Sequence, residues 1–489
     1  MEDISKGDPT EDSAEILYNY IINEDKGKSE PKKGKHKGET KTFLGIESPT
    51  PIPNLHLLDL KLALKYAEDK LYLNNDKIYK YLRRGNCLTY NTSTKKIGIA
   101  RIGLIKFFDY RKDFSYYINE EKRVLKTVKE SKLPLAVYIT EKANGENFQV
   151  SFNPVYNCWI IGSKTVTIAC RDVNDIEFYN NSENFKPKNF KPEINEFINT
   201  KMITKKRYEY VLDFAKKWFQ ILNKLFTTEE QLSEFKKIIS FHTFIGENVG
   251  DIKHQHIKIY NEGDLIFYSI IDHTKYDTEI CLPLSQSFEI FKKYGFATVS
   301  IDKSEIFQKY ENIKIYLDNK YNEILLKTIK ESGEGSVLYF VEIEENGNEN
   351  VISVAKLKTF EYRFYRKIRE KISVLLERYR KHPKNLSLGD LKKSLRKESE
   401  LLAENFQKEL NFENYIQFSD FVFDYIINYD NQNDYFDVFA DFIHLLKHKF
   451  DEIQENKESK DNDRINNAYK QIKEELNKKF EGMQLKINK

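Results

Sequence analysis

Cysteine is scarce and scattered. The 489-residue chain holds four, Cys87, Cys158, Cys170 and Cys281, with no CxxC spacing. That pattern argues against a zinc ribbon or a disulfide framework and suits a reducing, intracellular compartment, cytoplasmic or nuclear. No apolar run approaches the roughly 20 residues of a membrane span, so no membrane partner is expected. The first residues, Met1-Glu2-Asp3-Ile4-Ser5-Lys6, contain no signal-peptide core. Charge of one sign is not in excess either. The formal net charge is only +3, so any nucleic-acid surface must come from local clustering. Missing as well are a Walker A phosphate loop, paired HxT motifs and internal repeats.

What is present is enough for a large core, since 40% of the chain is hydrophobic and 14% aromatic. The length suggests two or three domains. Residues 1–42 read as a charged tail, with a short helix at 13–24 and a disordered Lys/Gly-rich stretch at 26–41. From residue 43 the pattern turns globular. Residues 59–82 have helical spacing, and residues 96–109 read as a strand ending in a basic-aromatic segment. Strand-like runs at 135–140 and 148–152 flank Glu141-Lys142-Ala143-Asn144-Gly145 and predict a hairpin. Further strands are expected at 158–165, within 241–272, and at 333–340 and 351–358. Residues 172–205 look like loop, 207–226 like an amphipathic helix, and Thr227-Thr228-Glu229-Glu230 like a capping box. Residues 284–331 read as mostly helical. From 359 the periodicity is helical to the end, with helices at 359–381, 388–410, 419–427, 435–455 and 464–480. The expected class is α+β. An antiparallel β core with flanking helices spans 43–370, with an insertion at about 172–240, and an all-α domain follows at 371–489.

Lys142 stands three residues before Gly145, at a strand end. A lysine beside a residue without Cβ can face a ligand that approaches the backbone. To act as a nucleophile its amine must be neutral, and a free lysine is protonated near pH 7. Burial, neighbouring cations and a metal ion each lower its pKa. An isolated KxxG is too short to be specific, and alone it reads as a surface lysine in a turn. Four other features follow in order, each at a strand end: Ser163-Lys164, Gly246-Glu247, Glu334-Gly335-x-Val337 and Lys356-x-Lys358. Period-2 spacing puts Lys356 and Lys358 on one face of a strand.

In this order, the five features resemble motifs I, Ia, III, IV and V of the covalent nucleotidyltransferases: ATP-dependent DNA ligases, RNA ligases and messenger-RNA capping enzymes. The resemblance spans about residues 95–370. Upstream, Arg101-Ile102-Gly103-Leu104-Ile105-Lys106-Phe107-Phe108-Asp109 is similar to the arginine-to-KFFN segment of phage tRNA-repair RNA ligases and fungal tRNA ligases. The segment 355–366 looks like motif V of the same subgroup. The resemblance implies that Lys142 carries AMP through a phosphoramidate. By the same resemblance, Glu141, Asn144 and Gly145 complete the nucleotide-binding motif. Glu247 would bind the ribose, Phe267 would stack on adenine, and Lys356 and Lys358 would contact the α-phosphate. Arg101 and Lys106 would hold the β- and γ-phosphates, and Lys164 would neutralise phosphate charge or contact the 5′-phosphate end. ATP and magnesium (or manganese) are the implied cofactors, with Glu334 and Glu247 as metal residues.

The implied activity joins RNA 5′-phosphate and 3′-hydroxyl ends, in tRNA-like repair or splicing. No kinase or phosphodiesterase motif accompanies it, so end healing falls to a separate enzyme. The signature of an oligonucleotide-binding domain is also missing after motif V. Arg363, Arg366 and Arg369, interleaved with Tyr362, Tyr365 and Tyr379, follow directly after the lysine pair and are expected to meet the RNA backbone. His256 stands where the family often has arginine. His254 and His256, without a third ligand, read as ordinary polar side chains rather than a metal pair. Rival readings are a capping-type guanylyltransferase, a DNA ligase, and a non-catalytic RNA-binding protein of the same fold.

Overall fold

The computed structural model describes residues 8–26, 43–62, 72, 75–110, 126–181, 184, 205–249, 264–327, 333–381, 387–404 and 412–429, with isolated positions between 449 and 474. The first sheet is a four-stranded antiparallel meander of β1 (Phe43–Ser48), β2 (Leu55–Leu62), β3 (Cys87–Asn91) and β4 (Ile97–Arg101). Helix α1 (Glu11–Lys26) leans on it, its Ala14 and Leu17 packed with Leu58, Leu60, Ile97 and Ile99. The helical reading of 59–82 needs correction. Its start belongs to β2, and among the described residues only Tyr72 and α2 (Asp76–Tyr81, capped by Asn75) are helical. Strand β2 buries Leu57 on one side and Leu58 and Leu60 on the other, and two buried faces erase the alternation that marks a strand.

Ten further strands build two five-stranded sheets. They are β5 (Phe108–Asp109), β6 (Leu135–Glu141), β7 (Gly145–Asn153), β8 (Cys158–Gly162), β9 (Thr167–Cys170), β10 (His242–Val249), β11 (Asp264–Asp272), β12 (Ile301–Lys303), β13 (Gly335–Ile343) and β14 (Glu349–Lys358). One sheet runs β11-β10-β7-β8-β9 and the other β12-β6-β13-β14-β5. All pairs are antiparallel except β5 with β14.

The predicted hairpin around Lys142 does not form. Strand β6 pairs with β12 and β13, whereas β7 pairs with β10 and β8. Lys142, Ala143 and Asn144 therefore cross from one sheet to the other. The glycine that suggested a tight turn has another use. Gly145 lies opposite Val249 on β10, and a Cβ there would overlap the carbonyl oxygen of Asn248.

The described residues between β9 and β10 form a structural layer. A 3-10 helix over Val173–Asn180 is followed by α3 (Lys205–Leu225) and α4 (Glu229–Ile239). Thr228 caps α4 in a reciprocal box with Gln231, one residue later than the sequence suggested. With α5 (Leu284–Tyr294), these helices bury an aromatic core against one face of the β11-to-β9 sheet. Trp218 stacks on Phe296 at 5.8 Å and meets Trp159 edge-on at 5.3 Å. Helix α6 (Tyr310–Leu326) packs on the other five-stranded sheet through Ile313, Leu317, Tyr321 and Ile324.

Helices α7 (Phe360–Lys381), α8 (Leu388–Glu404) and α9 (Phe412–Tyr429) follow β14. They are joined by Lys371–Glu398, by Lys392–Asp424 and by a buried Ser399–Ser419 hydrogen bond. Tyr365 packs edge-on against Phe418. Residues 27–41, His254, His256 and nearly all of the two helices expected beyond residue 434 lie outside the described residues.

Candidate nucleotide-binding site

Three strand ends of one sheet converge on a carboxylate. Lys142 follows β6, and its backbone N–H donates to the carbonyl of Gly335 at 2.9 Å, which extends the β6–β13 ladder by one step. Glu334 immediately precedes β13, and Lys358 ends β14. Lys142 Nζ lies 2.8 Å from Glu334 Oε2, and Lys358 Nζ lies 2.7 Å from Glu334 Oε1. Lys358 also sits over the ring of Tyr362, 4.8 Å from its centroid. Asp109 pairs with Lys356 across the parallel β5–β14 contact, and Lys356 Nζ lies 5.9 Å from the centroid of Phe107.

The facing wall comes from the other sheet. Asn147, Glu247 and Ile266 stand opposite one another on β7, β10 and β11, so their side chains share a face. A bulge in β11 leaves Tyr268 unpaired in the register, and bulges re-aim side chains near functional sites. The Tyr268 hydroxyl accepts from Asn147 Nδ2 at 3.0 Å. Lys164 lies in the loop between β8 and β9.

The electrostatics follow from this crowding. Burial works to raise the pKa of Glu334, but Lys142 and Lys358 overcome it and hold the carboxyl well below its ordinary range. For Lys142, burial lowers the pKa, yet Glu334 and then Glu247 more than offset it, and the net shift is upward. The sequence argument expected a depressed amine. A carboxylate in direct contact outweighs cations farther off.

Lys356 behaves as that argument wanted Lys142 to. Burial, opposed by Asp109 and aided by Lys358, Lys142 and Lys106, brings it down to about 7. Burial also pushes Glu247 up to about 7 against the pull of Lys164 and Lys142. Lys164 is exposed, but a side chain in a concave wall can be wetted and still surrounded by protein. That enclosure lowers its pKa, Glu247 opposes the shift, and Arg84, Lys142 and Lys106 add to it.

The field around Lys142 thus contains Glu334, Glu247 and Asp109, and the field around Lys356 contains Lys106 and Lys358. Glu141, Asn144 and Gly145 flank Lys142 along the crossing, with Asn144 buried. Two predicted residues are not part of this group. Arg101 is fully buried, and its guanidinium is spent on Gln149, the Ser163 carbonyl and Thr167. Its Nε finds no partner among the described residues, but the whole side chain is buried away from the cleft. Phe267 is fully buried in the aromatic core on the opposite face of β11, 5.8 Å from Phe148 and 5.2 Å from Phe296. Ile266, one residue earlier, faces the cleft in its place. The register shows this, whereas aromatic character alone pointed to Phe267.

Sequence reasoning also missed Arg84, Asp109, Ile266 and Tyr268. Asp109 was visible as the acidic end of a segment that carries asparagine in the similar ligases. Of the interleaved aromatics, Tyr362 and Tyr365 are buried and belong to packing rather than to a stacking surface. Arg363, Arg366 and Arg369 lie along α7, partly exposed. Arg366 pairs with Glu370 at 2.9 Å.

Carboxylate oxygens and waters suit magnesium or manganese. Glu247 Oε2 is buried and finds no hydrogen-bond partner. Each oxygen of Glu334 already accepts from one lysine and keeps one further lone pair. No group of three metal-ligating side chains occurs among the described residues. The donor set fits an ion held by Glu247, waters and a ligand's own oxygens.

No family model matches the chain, and no curated protein does. Among solved structures, it is similar to an archaeal ATP-dependent RNA ligase, at 11% identity and a TM-score of 0.38, with 79% of this chain and 76% of that one covered. It is also similar to a Naegleria gruberi RNA ligase with pyrophosphate, at 8% identity and a TM-score of 0.29, covering 66% and 96%.

Proposed function

We propose that the chain is an ATP-dependent RNA ligase whose Lys142 carries the nucleotide. One observation carries this reading. Residues from three separate strand ends, Lys142, Glu334 and Lys358, meet within 2.8 Å contacts, and Glu247 acts on Lys142 from the opposite sheet.

In the first step the neutral Nζ of Lys142 attacks the α-phosphorus of ATP. An N–P bond forms, the P–O bond to pyrophosphate breaks, and the nitrogen releases two protons to solvent, one in becoming neutral and one on bonding phosphorus. The Lys142–Glu334 pair must open for the amine to become neutral. Burial alone favours the neutral amine, so release from Glu334 unmasks it. Lys356 and Lys358 then face the α-phosphate, and Lys106 faces the leaving pyrophosphate. Phosphoryl transfer is mostly positioning and charge stabilisation, which a ring of lysines supplies. A divalent cation, held by Glu247, waters and phosphate oxygens, would neutralise phosphate charge. Ile266 and Tyr268 offer the purine a wall.

AMP next moves to an RNA 5′-phosphate, and a 3′-hydroxyl attacks that phosphate, expels AMP and seals the strand. Covalent relay divides one hard step into easier ones. Arg363, Arg366 and Arg369 continue the positive lining onto α7, where an RNA backbone can lie. Broken tRNA-like RNA is the substrate class we assign, with end healing by a separate kinase or phosphatase in the cytoplasm or nucleus.

The test is incubation with α-labelled ATP or GTP and magnesium, then with 5′-phosphate, 3′-hydroxyl RNA or nicked DNA. ATP-dependent labelling, lost in Lys142→Ala, and sealing of RNA are expected. Labelling that survives in Lys142→Ala overturns the reading.

A further inference from the structure

Arg101 was expected among the phosphate ligands, but it lies behind the cleft wall. We propose that it is a positioning residue whose buried guanidinium fixes the Lys164 loop and the Gln149–Asn147 pair against the first sheet. The role of that wall rests on the ligase reading.

The guanidinium makes three hydrogen bonds to three different segments. Nη1 donates to Gln149 Oε1 at 2.8 Å and to the Ser163 carbonyl at 2.6 Å, and Nη2 donates to Thr167 Oγ1 at 2.7 Å. The space it fills is made by a glycine. A Cβ at Gly162 would stand 2.9 Å from the guanidinium carbon and from Nη2. Behind it, Asp59 on β2 supplies the counter-charge at 3.9 Å. Asp59 also accepts from the Thr167 backbone N–H at 3.1 Å and from the Thr167 hydroxyl.

Each bond leads to the cleft. Ser163 immediately precedes Lys164. Its N–H donates to the Val166 carbonyl at 2.9 Å, and its hydroxyl meets Tyr210 at 2.7 Å, so the turn carrying Lys164 is clamped on both sides. Gln149 Nε2 donates to Asn147 Oδ1 at 2.7 Å and to the Arg84 carbonyl at 2.9 Å. Asn147 in turn donates to Tyr268 and stands opposite Glu247. One side chain therefore sets the wall that faces Lys142. A lysine could not replace it, because a planar fork reaches several acceptors at fixed angles and an ammonium on a flexible stem does not.

The test compares AMP labelling rates of the full chain with those of Arg101→Lys, Lys164→Ala and the double variant, together with amide hydrogen exchange. Arg101→Lys is expected to slow labelling about 10- to 100-fold, the scale of a misplaced group. The double variant should be less slow than the product of the two single losses, because the part of the Arg101 effect that passes through Lys164 is already gone in Lys164→Ala. Amides of residues 163–167 should exchange about tenfold faster in Arg101→Lys, while those of β2 and β3 keep their rates.

Multiplicative losses, a wild-type labelling rate in Arg101→Lys, or unchanged exchange at 163–167 would each overturn the proposal. If the unaltered chain takes no AMP from ATP, the ligase reading falls, and the exchange comparison still decides the role of Arg101. Should Arg101→Lys fail to fold, Thr167→Val removes one acceptor, with the same signs expected.

Discussion

Glu334 Oε2 lies 2.8 Å from Lys142 Nζ, so the proposed nucleophile is held as an ammonium by the carboxylate beside it. The same carboxyl group binds Lys358 through its other oxygen. On the proposed function, a triphosphate entering this cleft would compete with Glu334 for both lysines, which would tie nucleotide arrival to release of the amine.

Removing Glu334 leaves two buried ammonium groups without their counter-charge. Glu334→Ala should cost about 3–5 kcal/mol of stability, the range for breaking a buried pair, read by denaturant unfolding. The sign with pH follows from linkage. A carboxyl held low contributes fully above its ordinary value near 4.5 and loses that contribution as pH falls toward its folded value. Lys142, raised above 10.5, contributes below that value and loses its share as pH climbs past it. The gap between wild type and variant should therefore narrow as pH falls below about 4.5, and narrow again as pH rises, because lysines left without Glu334 are pushed by burial toward the neutral form in the variant.

Glu247 and Lys356 oppose folding around neutrality. Glu247 is pushed up to about 7, so the native state binds more protons than the unfolded chain between roughly pH 4.5 and 7, and stability should fall over that window. Lys356 is pulled down to about 7, so the unfolded chain binds more protons between about 7 and 10.5, and stability should rise there. Glu247→Gln should flatten the falling limb and Lys356→Met the rising one. Unfolding curves at pH 5, 7 and 9 without nucleotide decide both.

Phe267 and Ile266 are adjacent but face opposite ways. Phe267→Ala should cost about 3–5 kcal/mol, as for other buried phenylalanines, and leave the ATP affinity of the folded fraction within about twofold. Ile266→Ala should do the reverse, weakening ATP binding about tenfold with a small stability loss. Calorimetric titration with ATP, paired with thermal melts, separates them. Equal effects on both readouts would contradict the register.

Gly145→Ala tests the strand crossing. Its Cβ would collide with backbone rather than with a flexible side chain, so β7 and β10 must part. AMP labelling should drop at least tenfold, with a loss of about 1–3 kcal/mol from overpacking.

Arg363 and Arg369 lie on α7, the helix that follows the Lys356–Lys358 strand. If they meet RNA phosphates, each alanine substitution should lower the salt slope of RNA affinity by about 1 and leave AMP labelling unchanged. Binding titrations over a range of salt provide the measurement.

The strand ends were legible because chemistry-bearing residues stood where apolar runs stopped. Lys142, Glu334 and Lys358 were grouped through the resemblance of the five ordered features to nucleotidyltransferase motifs, since each feature alone is too short to be specific. Register was not legible. Whether position 266 or 267 faces the cleft depends on a bulge at Tyr268, and no local pattern announces it. Arg101 illustrates the same limit. Its charge suggested a ligand contact, but a buried Asp59 some forty residues earlier claims it, and that pairing exists only after the sheets assemble. The 59–82 helix failed because β2 is apolar on both faces. The Lys142 hairpin failed because a turn and a jump between sheets use the same short polar linker.

That jump has a mechanical consequence. The three residues from Lys142 to Asn144 are one covalent link between the two five-stranded sheets, and residues 297–300 join them too, hydrogen-bonded to Phe267 on one side and to Glu141 on the other, so a tilt of one sheet against the other twists the torsions that aim the Lys142 amine. A nucleotide wedged between the platforms would thereby steer its own acceptor, and loading and jaw closure would become a single motion.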